Sequence, residues 1–214
     1  KNWRNQWRVA IQESLVGYPV PFLFYKKSSS TLIHHAYQLA KFQEITSINY
    51  QQIANVVEFG GGYGSMCRLL RNLNFNGQYL IYDLAPFSLL QEFYFKLLSS
   101  VDNNRNNYYI DNIHCISNID LMRKIIKESG VLTKGDNLFI ATWSLSESPM
   151  EIRYEMEKIF SQFKYVLIAY QGAFSGYNNL EYFMKIKEKY SQYTWVSQQI
   201  KHIPGNYYLF GKSQ

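Results

Sequence analysis

Cysteine is scarce in this chain, which has two cysteines among 214 residues. Cys67 and Cys115 are too few for a disulfide framework, and they lie too far apart for a Cys-x-x-Cys zinc site. We therefore interpret both as small apolar side chains inside the protein. Their number favours a reducing, cytoplasmic compartment over an oxidising one.

Long apolar runs and blocks of basic residues are also missing. The apolar runs are far shorter than the about 20 residues that span a bilayer, so we expect no membrane partner. The net charge of +6 comes from lysines and arginines scattered along the chain. Because nucleic-acid-binding proteins usually concentrate positive charge on one face, we expect no nucleic-acid partner. No cluster of potential ligands has metal-site spacing, and we expect no required metal.

The composition and length are typical of one globular domain. Apolar residues make up 47% of the chain and charged residues 18%. The two prolines within residues 18–22 exclude a helix there, and a helix is predicted over residues 32–45. We interpret residues 1–50 as a helical extension with one extended kink that covers the ligand pocket, and residues 51–214 as one compact domain.

From Asn55 onwards, short apolar runs alternate with longer segments of helical periodicity. Such alternation predicts an α/β fold with a parallel sheet, in which ligands bind at the carboxyl ends of the strands. The predicted strands cover residues 56–59, 79–82, 113–116, 137–141 and 165–170, and the predicted helices cover residues 65–74, 86–100, 118–129, 149–163 and 179–190. Two β-rich runs, 195–203 and 207–211, flank a Pro-Gly-Asn turn and predict an antiparallel C-terminal hairpin.

A glycine-rich segment joins the first predicted strand to the next helix. Gly60, Gly62 and Gly64 occupy alternate positions, and Glu58 precedes them. Glycines at such a turn let a ligand approach the backbone, and the amides that begin the next helix can bind an anion. Asp83 follows the second strand, where a carboxylate can accept hydrogen bonds from a ribose diol. The pattern predicts nucleoside binding on a Rossmann-like sheet, and the alternative is a structural turn with Asp83 as a helix cap.

The spacing of the glycines distinguishes between nucleoside ligands. The nicotinamide pattern G-x-G-x-x-G requires glycine at position 65, where this sequence has Ser65. The G-K-[ST] of a phosphate-binding P-loop is absent too. The observed pattern resembles the E/D-x-G-x-G-x-G signature of class I methyltransferases. That resemblance implies S-adenosylmethionine as methyl donor and S-adenosylhomocysteine as product.

Further motifs resemble a family of bacterial class I enzymes, the sugar O-methyltransferases. The similarity covers roughly residues 20–212, and the matching residues are Val57-Glu58-Phe59-Gly60-Gly61-Gly62-Tyr63-Gly64, Ile81-Tyr82-Asp83-Leu84 with Leu89-Leu90-Gln91, Ser144-Leu145-Ser146-Glu147 and His202-Ile203-Pro204-Gly205-Asn206-Tyr207. The resemblance implies a seven-stranded, mostly parallel sheet with a final antiparallel strand. It also implies donor contacts at the glycine loop, at Asp83 and at the end of the third strand near Ser117.

We therefore predict a donor site along the carboxyl ends of four strands. It comprises the glycine loop and the residues that follow the second, third and fourth strands. The predicted cofactor-binding residues are Glu58, Gly60, Gly61, Gly62, Tyr63, Gly64, Asp83, Leu84, Ser117 and Trp143.

Methyl transfer to a hydroxyl also needs groups that hold the acceptor and remove its proton. Glu147 follows the fourth strand and His202 precedes the hairpin turn, so we expect both on the acceptor side as catalytic residues. Each has a structural alternative, because Glu147 can stabilise a helix N-terminus by its charge and His202 can be an ordinary strand histidine. We place His34, Ser144 and Ser146 among the substrate-binding residues.

The leading hypothesis is an S-adenosylmethionine-dependent O-methyltransferase that acts on a hydroxyl of a small molecule, with a carbohydrate as the expected acceptor. One alternative is an NAD-dependent Rossmann oxidoreductase, against which Ser65 and the antiparallel tail argue. A second is a non-catalytic donor-binding or scaffold protein with the same fold. A nucleic-acid amino-methylating enzyme is disfavoured, because Thr142-Trp143-Ser144-Leu145 stands where such enzymes carry Asn/Asp-Pro-Pro-Tyr/Phe.

Overall fold

The computed structural model of the protein describes residues 3–101, 111–128 and 135–214. Its strands are β1 (Pro21–Phe22), β2 (Tyr25–Ser29), β3 (Ile53–Phe59), β4 (Gln78–Tyr82), β5 (Ile113–Ile116), β6 (Asp136–Thr142), β7 (Tyr165–Gln171), β8 (Ala173–Phe174), β9 (Tyr177–Asn178), β10 (Tyr193–Gln199) and β11 (Asn206–Ser213). Its α-helices are α1 (Arg8–Ala10), α2 (Ser30–Thr46), α3 (Ser65–Asn72), α4 (Ala85–Val101), α5 (Ile119–Glu128), α6 (Ser144–Glu147), α7 (Met150–Phe160) and α8 (Asn179–Lys189). A π-helical turn at Trp3–Trp7 and a 3₁₀ turn at Tyr50–Gln52 complete the helical segments.

Seven strands form one mixed sheet in the order β10-β11-β7-β6-β3-β4-β5. Strands β3 to β7 run parallel, whereas β11 pairs antiparallel with both β7 and β10. The chain order reverses at β3, which lies between β4 and β6. In such sheets the crevice beyond the carboxyl end of the reversal strand is where ligands bind. The predicted α/β, Rossmann-like, seven-stranded and mostly parallel sheet with an antiparallel C-terminal hairpin is confirmed.

Helices cover both faces of the sheet and create two apolar layers. One layer contains buried side chains of α2, α3 and α4, and the other contains those of α5, α7 and α8. Successive strand residues alternate between the layers, so that Val56 of β3 packs in the first and Val57 in the second. The central strands read as continuous apolar runs in the sequence because both of their faces are buried.

The predicted elements agree with the structure except at a few ends. All five predicted parallel strands are present, with ends within three residues of the predicted ones. The predicted run 195–203 ends earlier, at Gln199, because the residues before β11 form turns. The predicted helix 118–129 is observed as α5, and its last predicted position, 129, lies outside the described residues. Among the helices of the described segments, none combines the length and apolar content needed to cross a bilayer.

The N-terminal extension contains a small hairpin in addition to its helices. Strands β1 and β2 pair antiparallel, so the predicted extended kink at residues 18–22 includes the first arm of this hairpin. Helix α2 begins at a serine cap, because Oγ of Ser29 accepts a hydrogen bond from the Leu32 amide at 3.1 Å. Leu39 and Phe42 of α2 are fully buried in the same apolar layer as α3. The extension therefore contributes to the apolar core on one face of the sheet.

Candidate active site

The loop between β3 and α3 has the backbone conformation that its glycines permit. Gly60, Gly62 and Gly64 have positive φ angles of 74°, 56° and 97°. A Cβ added at Gly60 would lie 2.3 Å from Cβ of Ser144, so this position requires glycine. At Gly62, none of the described residues places an atom within 4 Å of such a Cβ. The loop thus exposes bare backbone at the carboxyl end of the central strand, where a ligand can approach it.

Asp83 connects this loop to the end of β4. Its Oδ2 accepts hydrogen bonds from the Gly62 amide and from Nε2 of Gln91, both at 3.1 Å. Its Oδ1 accepts a hydrogen bond from the Leu84 amide at 2.8 Å. Burial raises the pKa of the Asp83 carboxyl, and these hydrogen bonds partly offset the increase. Gln91 also donates to the Gly62 carbonyl at 2.8 Å, and the sequence analysis did not include it among the site residues.

Glu58 lies beneath the glycine loop. Its side chain is 1% exposed, and its Oε2 accepts a hydrogen bond from the Tyr79 hydroxyl at 2.8 Å. Burial is the main reason that the pKa of Glu58 rises to about 7, and the charge of Asp83 raises it further. The same carboxylate lies 3.0 Å from a Cβ built at Gly61. Glu58 therefore supports the loop from the core side.

Three more residues of the predicted donor site lie at the rim of the sheet. Leu84 and Ser117 are exposed and follow β4 and β5. The Asp83 amide donates to the Ile116 carbonyl at 2.9 Å, which keeps the ends of these two strands adjacent. Tyr63 is half-buried, and its ring packs edge-on against Tyr94, with ring centroids 5.2 Å apart. Leu84 and Ser117 therefore follow the carboxyl ends of two adjacent strands, and Tyr63 belongs to the glycine loop itself.

Trp143 has an unusual backbone conformation directly after β6. Its φ of 65° and ψ of −35° are rare for a bulky residue, and such outliers cluster at functional sites. The Trp143 amide donates to the Ala169 carbonyl at 2.7 Å. Its indole Nε1 donates to Oδ1 of Asn206 at 2.7 Å, which links the end of β6 to the start of β11.

His34 and His202 come together beside Trp143. The His34 ring centroid lies 5.3 Å from that of Trp143 and 5.1 Å from that of His202. The His34 Nε2 atom lies 3.2 Å from the Tyr208 hydroxyl, and the exposed His202 packs edge-on against Tyr37. Burial, and then the proximity of His202, lower the pKa of His34. The His34 imidazole is therefore uncharged at neutral pH.

The short helix α6 carries the other predicted acceptor residues. Oγ of Ser144 donates to the last carbonyl of β3, and Oγ of the buried Ser146 donates to the Trp143 carbonyl at 2.7 Å. Glu147 is exposed, and its Oε1 accepts a hydrogen bond from Nε2 of Gln171 at 3.2 Å. Glu147 is thus hydrogen-bonded to Gln171 of β7, whereas the ring of His202 contacts that of His34 in α2.

Arg153 is a residue of this region that the sequence analysis missed. Its side chain is fully buried on α7 and donates to the Ser146 carbonyl at 2.6 Å and to the Ser148 carbonyl at 2.8 Å. It also donates to Oδ1 of Asn179 at 2.7 Å, and Nδ2 of Asn179 donates to the Gln171 carbonyl at 2.9 Å. Arg153 lies three residues before the buried Met156 and therefore on the same, apolar face of α7. A charged residue at such a position is the sequence signal that could have identified Arg153.

Polar contacts anchor the extension to the helix that follows the glycine loop. Nη1 of Arg68 lies 2.8 Å from Oε2 of Glu13, and both side chains are largely buried. Oγ of Ser65 lies 2.9 Å from Nδ1 of the half-buried His35. Burial is the main cause that lowers the pKa of His35 to about 4, so this imidazole is neutral.

Two adjoining cavities lie between the extension and the crevice. The smaller has a volume of about 270 Å³ and is lined by Ser30, Thr31, His34, His35 and Trp143. The larger has a volume of about 560 Å³ and shares Ser30 and Thr31 with the smaller one. The sequence predicts no metal site, and within the segments 3–101, 111–128 and 135–214 no group of three or more histidine, cysteine, aspartate or glutamate side chains is placed to hold a metal ion.

Comparisons with solved structures identify the fold. The methyltransferase domain of bacterial CtHen1 is 14% identical and aligns with a TM-score of 0.58 over 84% of this chain and 97% of that one. Fibrillarin of Methanococcus jannaschii, a pre-rRNA processing protein, is 13% identical, with a TM-score of 0.50 over 78% and 69% of the two chains. An S-adenosylmethionine-dependent methyltransferase of Aquifex aeolicus is 10% identical, with a TM-score of 0.50 over 84% and 89%. No protein-family model and no curated protein matches the chain. The protein has the fold of the class I S-adenosylmethionine-dependent methyltransferases.

Proposed function

We propose that this protein is an S-adenosylmethionine-dependent O-methyltransferase that acts on a hydroxyl of a small molecule, with a sugar as the acceptor. The proposal rests chiefly on the glycine loop at the reversal strand, where Gly62 faces open space and its amide is bonded to Asp83. The similarity to structures of methyltransferases supports the same activity. It favours this hypothesis over a nicotinamide-dependent oxidoreductase.

The donor fits above the glycine loop. The first amides of α3 form the positive end of the helix dipole and can bind the carboxylate of the donor. The half-buried Asp83 carboxylate can accept hydrogen bonds from the ribose hydroxyls of the donor. We assign the exposed Leu84 and Ser117, which follow the neighbouring strands β4 and β5, to the residues that would hold the base of the donor. When bound, S-adenosylmethionine supplies an activated methyl group, and the protein must supply position and a proton acceptor.

The histidine pair fits the role of proton acceptor. The ring centroids of His34 and His202 are 5.1 Å apart, and His34 also contacts Trp143, directly after β6. His202 is the exposed ring of the pair, and we assign it the role of taking up the proton of the acceptor hydroxyl. We assign His34 and Trp143 to the walls of the acceptor site, and Glu147 to the orientation of the acceptor.

A sugar acceptor is supported by the smaller cavity. Its lining combines the hydroxyls of Ser30 and Thr31 with the His34 imidazole and the Trp143 ring, and specific small-molecule sites use such a mixture of polar groups and aromatic faces. One structural neighbour is named a pre-rRNA processing protein, so RNA is the competing acceptor. The basic residues are scattered along this chain, which disfavours RNA.

Titration calorimetry with S-adenosylhomocysteine tests the donor site. We expect micromolar binding to the wild-type protein and none to Gly62→Val, because a valine side chain would fill the open space above the loop. Gly176→Val is the matched control, since Gly176 also has positive φ and, among the described residues, open space around its Cβ position. Absence of both heat and thermal shift with the wild-type protein would exclude the proposed function, as would full affinity in folded Gly62→Val.

An assay with radiolabelled S-adenosylmethionine tests the acceptor. Wild-type protein, Gly62→Val and Gly176→Val are incubated with a panel of glycosides and, separately, with short RNA. Label in a glycoside, in reactions of the wild-type and Gly176→Val proteins only, supports the sugar acceptor. Label in RNA alone would replace the sugar with a nucleic acid, and donor binding without label in either class would favour the non-catalytic alternative.

A further inference from the structure

The larger cavity extends from the candidate active site along the outer surface of α4. Its walls are mostly apolar side chains that belong to the extension on one side and to α4 on the other. They include Val16, Pro19, Val20, Leu90, Phe93 and Leu97. The volume of about 560 Å³ lies within the range of sites that bind small molecules.

This cavity adjoins the acceptor side of the proposed site. Ser30 and Thr31 line it together with the smaller cavity that contains His34 and Trp143. Among the described residues its lining includes Tyr63 of the glycine loop, but neither Gly62 nor Asp83. It therefore lies beside the glycine loop and borders the smaller cavity, which His34 lines.

The lining of the cavity offers no unpaired charge among the described residues, so it favours neither an anionic nor a cationic ligand. Glu13 is the only charged residue among the described residues that line it. Its Oε2 is paired with Nη1 of Arg68 at 2.8 Å, and its Oε1 accepts a hydrogen bond from Oγ of Ser29 at 2.5 Å. An occupant would meet a neutral, apolar surface.

The α4 wall exposes large apolar side chains in the absence of an occupant. Leu90 is 44% exposed and Phe93 is 60% exposed. Covering such side chains with an apolar group is favourable in proportion to the area removed from water. A free sugar, which is polar on most of its surface, would leave this contribution unused.

We propose that the acceptor is amphiphilic, with a hydroxyl-bearing sugar head beside His34 and His202 and an apolar alkyl or aryl group in the larger cavity. This inference rests on the proposed function, because it describes the acceptor of that reaction. It narrows the substrate class from sugars in general to glycosides with an apolar substituent.

Binding of alkyl glucosides by titration calorimetry tests the inference. The probes are a series from methyl to octyl glucoside, which share one head group. If the alkyl chain enters the cavity, affinity should rise about fourfold for each added methylene until the cavity is filled. Affinity that is independent of chain length would overturn the proposal.

A pair of variants on adjacent positions of α4 locates the binding. Leu90→Ser changes a residue that lines the cavity, whereas Leu89→Ser changes the neighbouring leucine, which is 67% exposed and is not among the described residues that line the cavity. We expect octyl glucoside to bind about tenfold more weakly to Leu90→Ser and unchanged to Leu89→Ser. Equal effects of the two substitutions, or no effect of Leu90→Ser, would place the alkyl chain elsewhere and refute the proposal.

S-adenosylhomocysteine provides the remaining control. It should bind alongside octyl glucoside, and competition between the two would assign the cavity to the donor and overturn the inference. Donor binding without any chain-length effect would reject the amphiphilic acceptor and leave the proposed function intact. A chain-length effect that Leu90→Ser weakens, without donor binding, would remove the methyltransferase proposal and keep the cavity as an apolar binding site.

Discussion

Asp83 has two possible roles, and they predict different effects of its removal. The carboxylate accepts hydrogen bonds from the Gly62 and Leu84 amides, which is a structural role, and it can also accept hydrogen bonds from a ribose diol. If it binds ribose, Asp83→Ala should weaken S-adenosylhomocysteine binding by about 1–3 kcal/mol, the usual cost of losing hydrogen bonds to a charged group. The dissociation constant is measured by calorimetry.

The control for Asp83→Ala is Asp120→Ala, because Asp120 is exposed on α5 and its partner there is Arg123 at 3.0 Å. This variant should bind S-adenosylhomocysteine as the wild type does. A lower melting temperature of Asp83→Ala with an unchanged dissociation constant would show that Asp83 serves the backbone only.

Glu58 should make stability depend on pH in a direction unusual for a carboxylate. Its pKa of about 7 in the folded protein exceeds the ordinary value of 4.5, so folding favours the protonated form. The resulting stabilisation is fully present below pH 4.5 and is lost as the pH rises through 7. His35 acts oppositely, because its pKa falls from 6.5 to about 4 and its stabilisation is lost as the pH falls toward 4.

Comparison of the wild type with Glu58→Gln separates these two contributions. Because both proteins retain His35, the difference in their free energies of unfolding depends on Glu58. Between about pH 5 and pH 8 the wild type should lose roughly 2–3 kcal/mol relative to the variant. Urea unfolding at several pH values measures this change, and a constant difference across that range would contradict the raised pKa.

At the scale of elements, sequence periodicity predicts the strands of the seven-stranded sheet and misses those of the two small hairpins. Strands β3, β6 and β7 are buried on both faces, so their sequences are apolar runs. Glycine and polar residues on either side of each run mark its ends. The two-residue strands β1, β8 and β9 carry no period that a sequence pattern could reveal. Their pairing depends on tight turns, such as the one at Ser175 and Gly176, which both have positive φ.

Helix α7 stabilises the segment after β6 through Arg153. Replacement by methionine would leave the Ser146 and Ser148 carbonyls without the bonds that the guanidinium donates to them. Each unsatisfied buried acceptor costs free energy, so we expect Arg153→Met to lower the free energy of unfolding by roughly 2–4 kcal/mol. Urea unfolding measures the loss. Arg123→Met is the control, because Arg123 is exposed on α5.

The same substitution should also lower turnover, because Arg153 fixes the backbone between Trp143 and α7. Methyl transfer is measured at a temperature at which both arginine variants are fully folded. A folded Arg153→Met variant with wild-type turnover would show that the segment after β6 needs no support from α7.

At the scale of the whole molecule, the glycine loop could be predicted from the sequence but the proposed acceptor site only in part. Gly60 to Gly64 and Asp83 carry local spacing that predicts the loop after β3 and the carboxylate after β4. The acceptor side joins His34 of α2, Trp143 after β6 and His202 before β11, and no local pattern encodes the distances among them. They meet because β11 lies beside β7 and α2 packs against this part of the sheet. Sequence reasoning named these residues individually and did not foresee their pairing.

The assignment of the base depends on this whole-molecule arrangement. His202→Gln should lower turnover about 10²–10⁴-fold with unchanged S-adenosylhomocysteine affinity, because a general base acts on the acceptor proton and not on the donor. His114→Gln, on the exposed surface of β5, is the matched control. Glu147→Gln should have a smaller effect, since Glu147 is exposed and bonded to Gln171.

The pH dependence of turnover gives an independent test of the same assignment. A base must be deprotonated to act, so turnover falls as the pH drops through the pKa of the base. A histidine base places this acidic limb roughly two pH units above that of a glutamate base. The limb measured in the wild type should therefore disappear in His202→Gln, and Glu147→Gln should leave it in place. If the limb instead lies in the glutamate range and disappears in Glu147→Gln, Glu147 is the base, because protonation of its carboxylate is then what lowers turnover at acidic pH.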